Sequence, residues 1–510
     1  MPDKQFRFVI LGGGTAGWMT ACLLAMKWPQ RQVTLVESPN VGIIGVGEGS
    51  TPQLRAFFRT LGLDEHDWMP RCNATYKNGI RFKGWSERAG FTEYYHPFAT
   101  AVDDRTLPIF FYNSRARRTG RDVWAHPDRF FLPAHLSAKN YAPLPDERFP
   151  FDVSYGYHFD AYLVGEMLRD HACSLGVCHK QRHVINAQLC KNGDISELIT
   201  DCGERIAGDL FVDCSGFHAA LIQKALGERF ISYADILFND RAVVMPTPAD
   251  TDVLAPHTTA AAMTAGWRWE IPLTNRTGNG YVYSSRYLTA DQAETELRTE
   301  LGLLDSDVAS RHLSLKVGRV ERSWVKNCLA VGLAQGFIEP LEATALHIVQ
   351  ATVEGFIDAF EQGGSTPRHR DAFNADIARR YDGIRDYIVC HYKVNGRKGL
   401  PYWQDAAAVT NLSDILKAVL TVWYRGEDLA AEIDRLNIGG YYSALSWHCL
   451  LAGYGIFPDD AKISAPGDDI QIFDMAKVDD FIRRCGLNFS DNKRVMDAIM
   501  SGTAHRPSAL

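Results

Sequence analysis

The segment FRFVILGGGTAGWMTACLLAMKWPQRQVTLVES, Phe6 to Ser38, constrains the fold more than any other stretch of the chain. An apolar run leads into a glycine turn. A stretch with Ala21, Leu24 and Ala25 on one side at helical spacing follows, and then a second apolar run, VTLVE. This order predicts a βαβ unit. Gly12, Gly14 and Gly17 fall at the strand-to-helix junction in the spacing GxGxxG. There the missing side chains permit a tight turn, approach of the backbone to a pyrophosphate, and close packing of helix on strand. Glu37 ends the second strand, 20 residues after Gly17, where an acid binds ribose hydroxyls. Strand, helix and acid in register predict a dinucleotide site built from Gly12, Gly14, Thr15, Ala16, Gly17 and Glu37.

Two later stretches fit the same site. DLFVDCSGFHAALIQ, Asp209 to Gln223, reads as a strand ending in a turn of small residues. NCLAVGLAQGFIEPLEATALHIVQATVEGFIDAF, Asn327 to Phe360, reads as strand, loop and helix, with Ile348, Thr352, Phe356 and Phe360 on a core-facing side. Glycine-punctuated strand ends dispersed in this way point to FAD, because binding of NAD alone needs no such dispersal. The expected fold class is α/β: a Rossmann-type FAD domain of the FAD-dependent monooxygenase kind over residues 1–365, with substrate-binding segments inserted at about 90–150 and 230–310. A mainly helical module is expected over 366–510.

A net charge of -7 without a basic block argues against a nucleic-acid partner. The 11 cysteines are scattered without a CxxC pair or metal-like Cys/His spacing, which fits a reduced cytoplasm and no metal. The first residues run straight into the strand without a signal-peptide pattern, and no apolar run reaches the ~18 residues of a membrane span. A cytoplasmic protein with small-molecule partners and no membrane association is expected. The stretch AGWRWEIPL, Ala265 to Leu273, reads as a half-buried strand with Trp267, Trp269 and Ile271 on one face, Arg268 and Glu270 on the other, and a stop at Pro272.

Several motifs carry a family resemblance. They are GGGTAGWMTA (Gly12 to Ala21), GVGEGSTP (Gly45 to Pro52), YKNGIRFKGW (Tyr76 to Trp85), YYHPF (Tyr94 to Phe98), YHFDAYLVGEML (Tyr157 to Leu168), WRWEIP (Trp267 to Pro272), GYVYSS (Gly280 to Ser285) and PLEATALHIV (Pro340 to Val349). In this order they resemble the flavin-dependent tryptophan halogenases, over most of the chain. WxWxIP, the single lysine and the PLExT turn are more specific than any one glycine motif.

The resemblance implies an enzyme that binds reduced FAD and uses O2 to oxidise a halide ion, bromide or chloride, to hypohalous acid. That acid then travels through a tunnel to a separate aromatic substrate. Lys77 matches the lysine that hydrogen-bonds the acid or carries the halogen; by residue type alone it reads as a solvated surface charge. Glu342 matches the acid that orients the halogenating agent or takes the proton from the arenium intermediate, and by position alone it is an acid in the first turn of a helix. Gly47, Glu48, Gly332 and Ile338 join the cofactor set. The backbone N–H groups of Thr344 and Ala345 match the halide contacts at a helix N-terminus. The commoner family pattern has glycine where this chain has Ala345, which leaves chloride versus bromide open.

His96 and Phe98 match the pair that sandwiches the substrate's indole ring, and Tyr442 and Trp447 are expected as further pocket walls. Tryptophan-specific members carry a glutamate for the substrate ammonium. An ungapped count places Asn437 there, and a neutral amide does not supply a charge-assisted bond. Indole or an indole-like aromatic is therefore expected in place of free tryptophan. Trp267, Trp269 and Ile271 are expected to wall the flavin off from the organic substrate. A separate flavin reductase is expected to supply FADH2, and a homodimer is compatible with the family. Two rival readings remain: a flavin-dependent aromatic hydroxylase, which needs no tunnel lysine, and a non-catalytic FAD-binding protein.

Overall fold

The computed structural model describes residues 6–42, 49–146, 148–467 and 470–503. The chain forms two compact units, each assembled from three segments. One comprises Met1–Asn73, Phe159–Ala234 and Lys316–Asp382; the other comprises Ala74–His158, Asp235–Leu315 and Gly383–Leu510.

The first unit is built on the predicted βαβ. Among the described residues its main sheet has six strands, in the order Trp324–Val325, Cys328–Ala330, Leu210–Asp213, Arg7–Leu11, Gln32–Glu37 and Cys178–Gln181. All pairings are parallel except the edge pair, Trp324–Val325 with Cys328–Ala330. Phe8, Val9, Ile10 and Leu11 are all buried, as expected of a strand covered on both faces. The helix Thr15–Lys27 packs on two others, Ala161–Ser174 and Ala345–Gln362. The predicted face of the last, Ile348, Thr352, Phe356 and Phe360, is buried, and Phe356 meets Trp324 with ring centroids 4.9 Å apart. At ~25 cal/mol per Å2 of apolar surface, Ile348, Phe356 and Phe360 each stabilise the unit by roughly 1.5–3 kcal/mol.

In the second unit, seven strands among the described residues form one sheet: Arg311–Ser314, Arg241–Pro248, Arg276–Tyr283, Gly266–Pro272, Thr258–Met263, Gly79–Lys83 and Glu93–Pro97. It is antiparallel except where Thr258–Met263 runs parallel to Gly79–Lys83. The WRWEIP stretch is a central strand, and its burial alternates as expected: Trp267, Trp269 and Ile271 are buried, Arg268 and Glu270 only partly. Opposite Trp269 in the register stands Gly280, where a Cβ would lie 2.1 Å from the indole. Only glycine leaves room there for the ring.

The inserted segments, expected at about 90–150 and 230–310, are here Ala74–His158 and Asp235–Leu315. The chain from Gly383 onward shares their unit, so the cuts differ from an N-terminal module ending at 365. The physical reason is shared packing. Strands from both insertions pair in one sheet, Trp403 donates its indole N–H to the Met263 carbonyl at 2.8 Å, and the Trp85 and Trp403 rings meet at 5.0 Å.

The 11 cysteines are free thiols. Among the described residues, no His, Cys, Asp or Glu group is arranged to hold a metal ion, and no helix is long and apolar enough to cross a membrane.

Candidate active site

In the first unit the glycines form a cradle of bare backbone at the N-terminus of the helix Thr15–Lys27. Gly12 has φ 116°, and a Cβ on it would lie 2.2 Å from the Cys214 carbonyl oxygen; one on Gly17 would lie 2.0 Å from the Gly12 carbonyl oxygen. Alanine therefore fits at neither position without moving the backbone. Gly332, at φ 66°, brings its turn against the same helix start, where a Cβ would meet that of Ala16 at 2.8 Å. Glu37 ends its strand as predicted. Its Oε1 accepts from His179 Nε2 at 2.6 Å, while a Cβ on Gly13 would collide with Oε2 at 1.6 Å. A helix N-terminus without side chains and an acid at the end of the next strand fit the pyrophosphate and ribose of FAD. Ile338 is buried in the same unit, and Gly47 and Glu48 lie outside the described residues.

Glu342, only 3% exposed, closes the short 3-10 turn Pro340–Glu342. The next residue, Ala343, takes the left-handed conformation at φ 55°, and Thr344 then caps the helix Ala345–Gln362. A left-handed alanine costs about 1–2 kcal/mol, and such outliers collect at functional turns. Here it turns the chain so that the backbone N–H groups of Thr344 and Ala345 stand at the positive end of an 18-residue helix.

In the second unit Lys77 is 0% exposed, the opposite of a solvated charge. It ends the strand Thr75–Lys77, which pairs antiparallel with Gly156–His158 so that Lys77 faces Gly156 and Thr75 faces His158. The residue opposite the lysine is a glycine, so no cross-strand side chain stands directly against Lys77. The Lys77 ammonium lies 5.4 Å from the Phe98 ring centroid, within cation–π range. The next residue is anchored three ways. Asn78 N–H donates to the Pro256 carbonyl at 2.8 Å, its carbonyl accepts from Phe98 N–H at 3.0 Å, and its side-chain oxygen accepts from the Tyr95 hydroxyl.

An aromatic wall stands in the same unit. Tyr387 and Tyr442 stack with centroids 3.6 Å apart and planes 9° apart; Trp447 meets Tyr387 edge-on at 4.9 Å, and the His96 ring lies 6.2 Å from Tyr387. The Tyr387 hydroxyl donates to the Ser446 carbonyl at 3.0 Å, which fixes the ring.

A sequence profile of the family described as tryptophan halogenase matches residues 7–466. The tryptophan 6-halogenase SttH of Streptomyces toxytricini is 39% identical over 89% of this chain and 90% of its own. The 7-chloro-L-tryptophan 6-halogenase KtzR of Kutzneria sp. (strain 744) is 37% identical over 88% and 90%. Among solved structures, the flavin-dependent halogenase BrvH of Brevundimonas sp. BAL3 superposes with a TM-score of 0.82 at 29% identity, covering 97% of this chain and 99% of that one. The chain belongs to the tryptophan halogenase family. It is a flavin-dependent halogenase with the Rossmann-type FAD-binding fold of that family.

In this halogenase the structure brings His96, Tyr442 and Trp447 together through Tyr387, a residue sequence reasoning did not single out. Tyr387 lies in the helix Arg370–Lys393, where helical periodicity makes a buried tyrosine look like core. His179 and Gly13 were missed beside Glu37 for a similar reason, since their roles depend on contacts across the sheet. Asn437 is exposed and ends the helix Leu429–Leu436 in the left-handed conformation, φ 53°. This is a frequent role of asparagine at a helix C-terminus.

Proposed function

We propose that this halogenase uses FADH2, O2 and bromide or chloride to form hypohalous acid and halogenates an indole or indole-like aromatic in place of free tryptophan. Atoms and charges balance: FADH2, O2, halide ion, one proton and the arene give FAD, the aryl halide and two water molecules. Bound FADH2, delivered by a separate reductase, supplies the two electrons that O2 requires and the oxidising equivalent that reaches the halide.

The observation that carries this reading is Lys77, a fully buried ammonium on a short ribbon beside Phe98. A hydroxylase or a pure FAD binder has no use for a buried cation there. The Lys77 ammonium hydrogen-bonds the hypohalous acid, or the neutral amine attacks its halogen to give an N-halo amine and water, and so holds an electrophile that would otherwise disperse. Glu342, shielded from solvent, orients the agent or accepts the ring proton as the arenium intermediate rearomatises. The N–H groups of Thr344 and Ala345 hold the halide. Gly12, Gly14, Thr15, Ala16, Gly17, Glu37, Gly332 and Ile338, with Gly47 and Glu48, hold the dinucleotide. Trp267, Trp269 and Ile271 form the barrier against direct oxygen transfer.

The indole preference rests on the His96, Tyr442 and Trp447 wall with Phe98, and on a helix stop in place of an acid at Asn437. Reduced FAD, air, bromide and equimolar indole and tryptophan are incubated with the enzyme, and products are read by the bromine isotope doublet in mass spectrometry. Brominated indole in excess is the expected result. A strong preference for tryptophan removes the substrate reading, and an oxygenated product without bromine removes halogenation. Trp267→Ala should add hydroxylated indole to the products; its absence removes the barrier.

A further inference from the structure

The lysine ribbon is tied to the main sheet of its unit by one unbroken chain of buried polar groups. Thr75, Lys77 and His158 share a face of the ribbon, because residues two apart and residues directly opposite project to the same side. His158 is fully buried. Its Nδ1 lies 3.1 Å from Thr75 Oγ1, and its Nε2 lies 2.9 Å from Oγ1 of Thr258, the first residue of the strand Thr258–Met263. The Thr75 hydroxyl in turn donates to the carbonyl of Pro272 at 2.7 Å, the last residue of the WRWEIP strand.

Donor and acceptor roles follow from these contacts. Thr75 has one proton and gives it to Pro272, so it accepts from His158 Nδ1–H. In the neutral ring Nε2 is then the acceptor, and Thr258 donates to it. Burial first, and then Lys77, holds His158 well below the usual histidine range, so the imidazole is neutral. His257 is itself kept neutral by burial and by Arg81 and Lys83, and its Nδ1 lies 2.8 Å from Ser137 Oγ.

We propose that His158, clamped between Thr75 and Thr258, is a positioning residue for Lys77: it fixes the ribbon that presents the ammonium and lends no second charge to its surroundings. The proposal deepens the halogenase reading and rests on it for the consequence in catalysis, but the clamp has a readout of its own. A ribbon of three residues per strand has too few ladder bonds to hold an ammonium in one place, whereas a side-chain chain ending on a seven-stranded sheet does.

The test uses Thr75→Val, which keeps the side-chain shape and removes both hydrogen bonds, and Thr75→Ser, which keeps the hydroxyl. Thr258→Val and His158→Asn probe the other links. Lys77 exposure is read first, by trace acetylation with acetic anhydride and mass spectrometry of the Lys77 peptide. Thr75→Val and Thr258→Val should label Lys77 about threefold or more faster than wild type, as local opening predicts, and Thr75→Ser should restore the wild-type rate. With reduced FAD, air, bromide and indole, the yield of bromoindole per FADH2 consumed should fall about tenfold or more in Thr75→Val. Hypohalous acid captured by a 1,3-diketone should persist in that variant.

Wild-type labelling and yield in Thr75→Val overturn the proposal. So does equal damage in Thr75→Ser, which reports only a packing defect; thermal melting of each variant identifies outright misfolding. If labelling responds as stated while wild type halogenates no indole, the clamp stands and the halogenase reading falls.

Discussion

The two units carry function in different materials. In the flavin unit the cofactor cradle is made chiefly of backbone: glycines at 12, 17 and 332, where any side chain would strike a carbonyl oxygen or a neighbouring Cβ within 3 Å. In the lysine unit the site is made of side chains gathered from segments far apart in the chain, Thr75, Lys77 and His158 on one face of the ribbon, Thr258 bonded to them, and His96, Tyr387, Tyr442 and Trp447 in the wall. A backbone site tolerates almost no substitution at a few positions. A side-chain site tolerates substitution in most places and fails at the group that meets the reagent.

The sharpest way to break this comparison is Lys77→Ala. Loss of a group that acts only in the reaction should lower bromoindole formation by about three orders of magnitude, roughly 4 kcal/mol, while oxidation of FADH2 by air continues in the separate cradle. Retained halogenation removes Lys77 from the mechanism. In the flavin unit the matching substitution is Gly17→Ala. Its methyl meets the Gly12 carbonyl oxygen, and overpacking of this kind costs about 1–3 kcal/mol. FAD affinity, measured by flavin fluorescence quenching, should weaken by roughly tenfold to a hundredfold, with Lys77 acetylation unchanged. Affinity within twofold of wild type shows that the backbone yields more than the cradle geometry implies.

This contrast explains what was legible in the sequence. Gly12, Gly14, Gly17 and Glu37 stood out because the backbone geometry of one short local unit demands them. The WRWEIP alternation was legible because a strand between two others buries one face completely. Lys77 was not legible by residue type, since nothing local says that a lysine is covered; only the motif around it did. Tyr387 and the His158 clamp were illegible because their roles arise from pairings across residue separations of 50 or more. The substrate wall is where such pairings decide the most, and for that reason substrate choice is the part of the reading that rests on the wall and Asn437 together.

Buried histidines give the lysine unit a pH signature. Burial, with secondary help from Arg81 and Lys83, pushes His257 down to about 3, and burial does the same to His448. An unfolded imidazole titrates near 6.5, so below that pH the unfolded chain binds protons that the native unit refuses. Stability is full above about pH 6.5 and falls toward pH 3, by about 1.4 kcal/mol per pH unit for each histidine. Asp103 acts in the opposite sense. Burial raises it to about 6, so acidification from 6 toward 4 protonates the native carboxyl first and offsets one histidine. Asp103→Asn deletes that offset. Hydrogen exchange in the strand Thr258–Met263, compared at pH 6 and pH 5, should show a steeper loss of protection in the variant by about 1 kcal/mol, with the strand Arg7–Leu11 of the flavin unit unaffected. Parallel slopes in variant and wild type remove Asp103 from the balance.

The smallest effect is expected at Ala345, in the turn that opens the helix Ala345–Gln362. The family resemblance implies glycine at the position of Ala345, and its freedom would matter if that residue had to take an unusual conformation. In this chain Ala343 takes the left-handed conformation, at φ 55°, while Ala345 opens an ordinary helix. The N–H groups of Thr344 and Ala345 are aimed by that preceding turn and by the helix axis, neither of which depends on a methyl group at 345. Ala345→Gly loosens the first helical residue by at most about 1 kcal/mol. The bromide and chloride concentrations for half-maximal product formation should each move less than about fivefold and in the same direction, leaving their ratio unchanged. A reversal of halide preference would instead place selectivity in the side chain at 345 and make this turn, like the lysine ribbon, a site written in side chains.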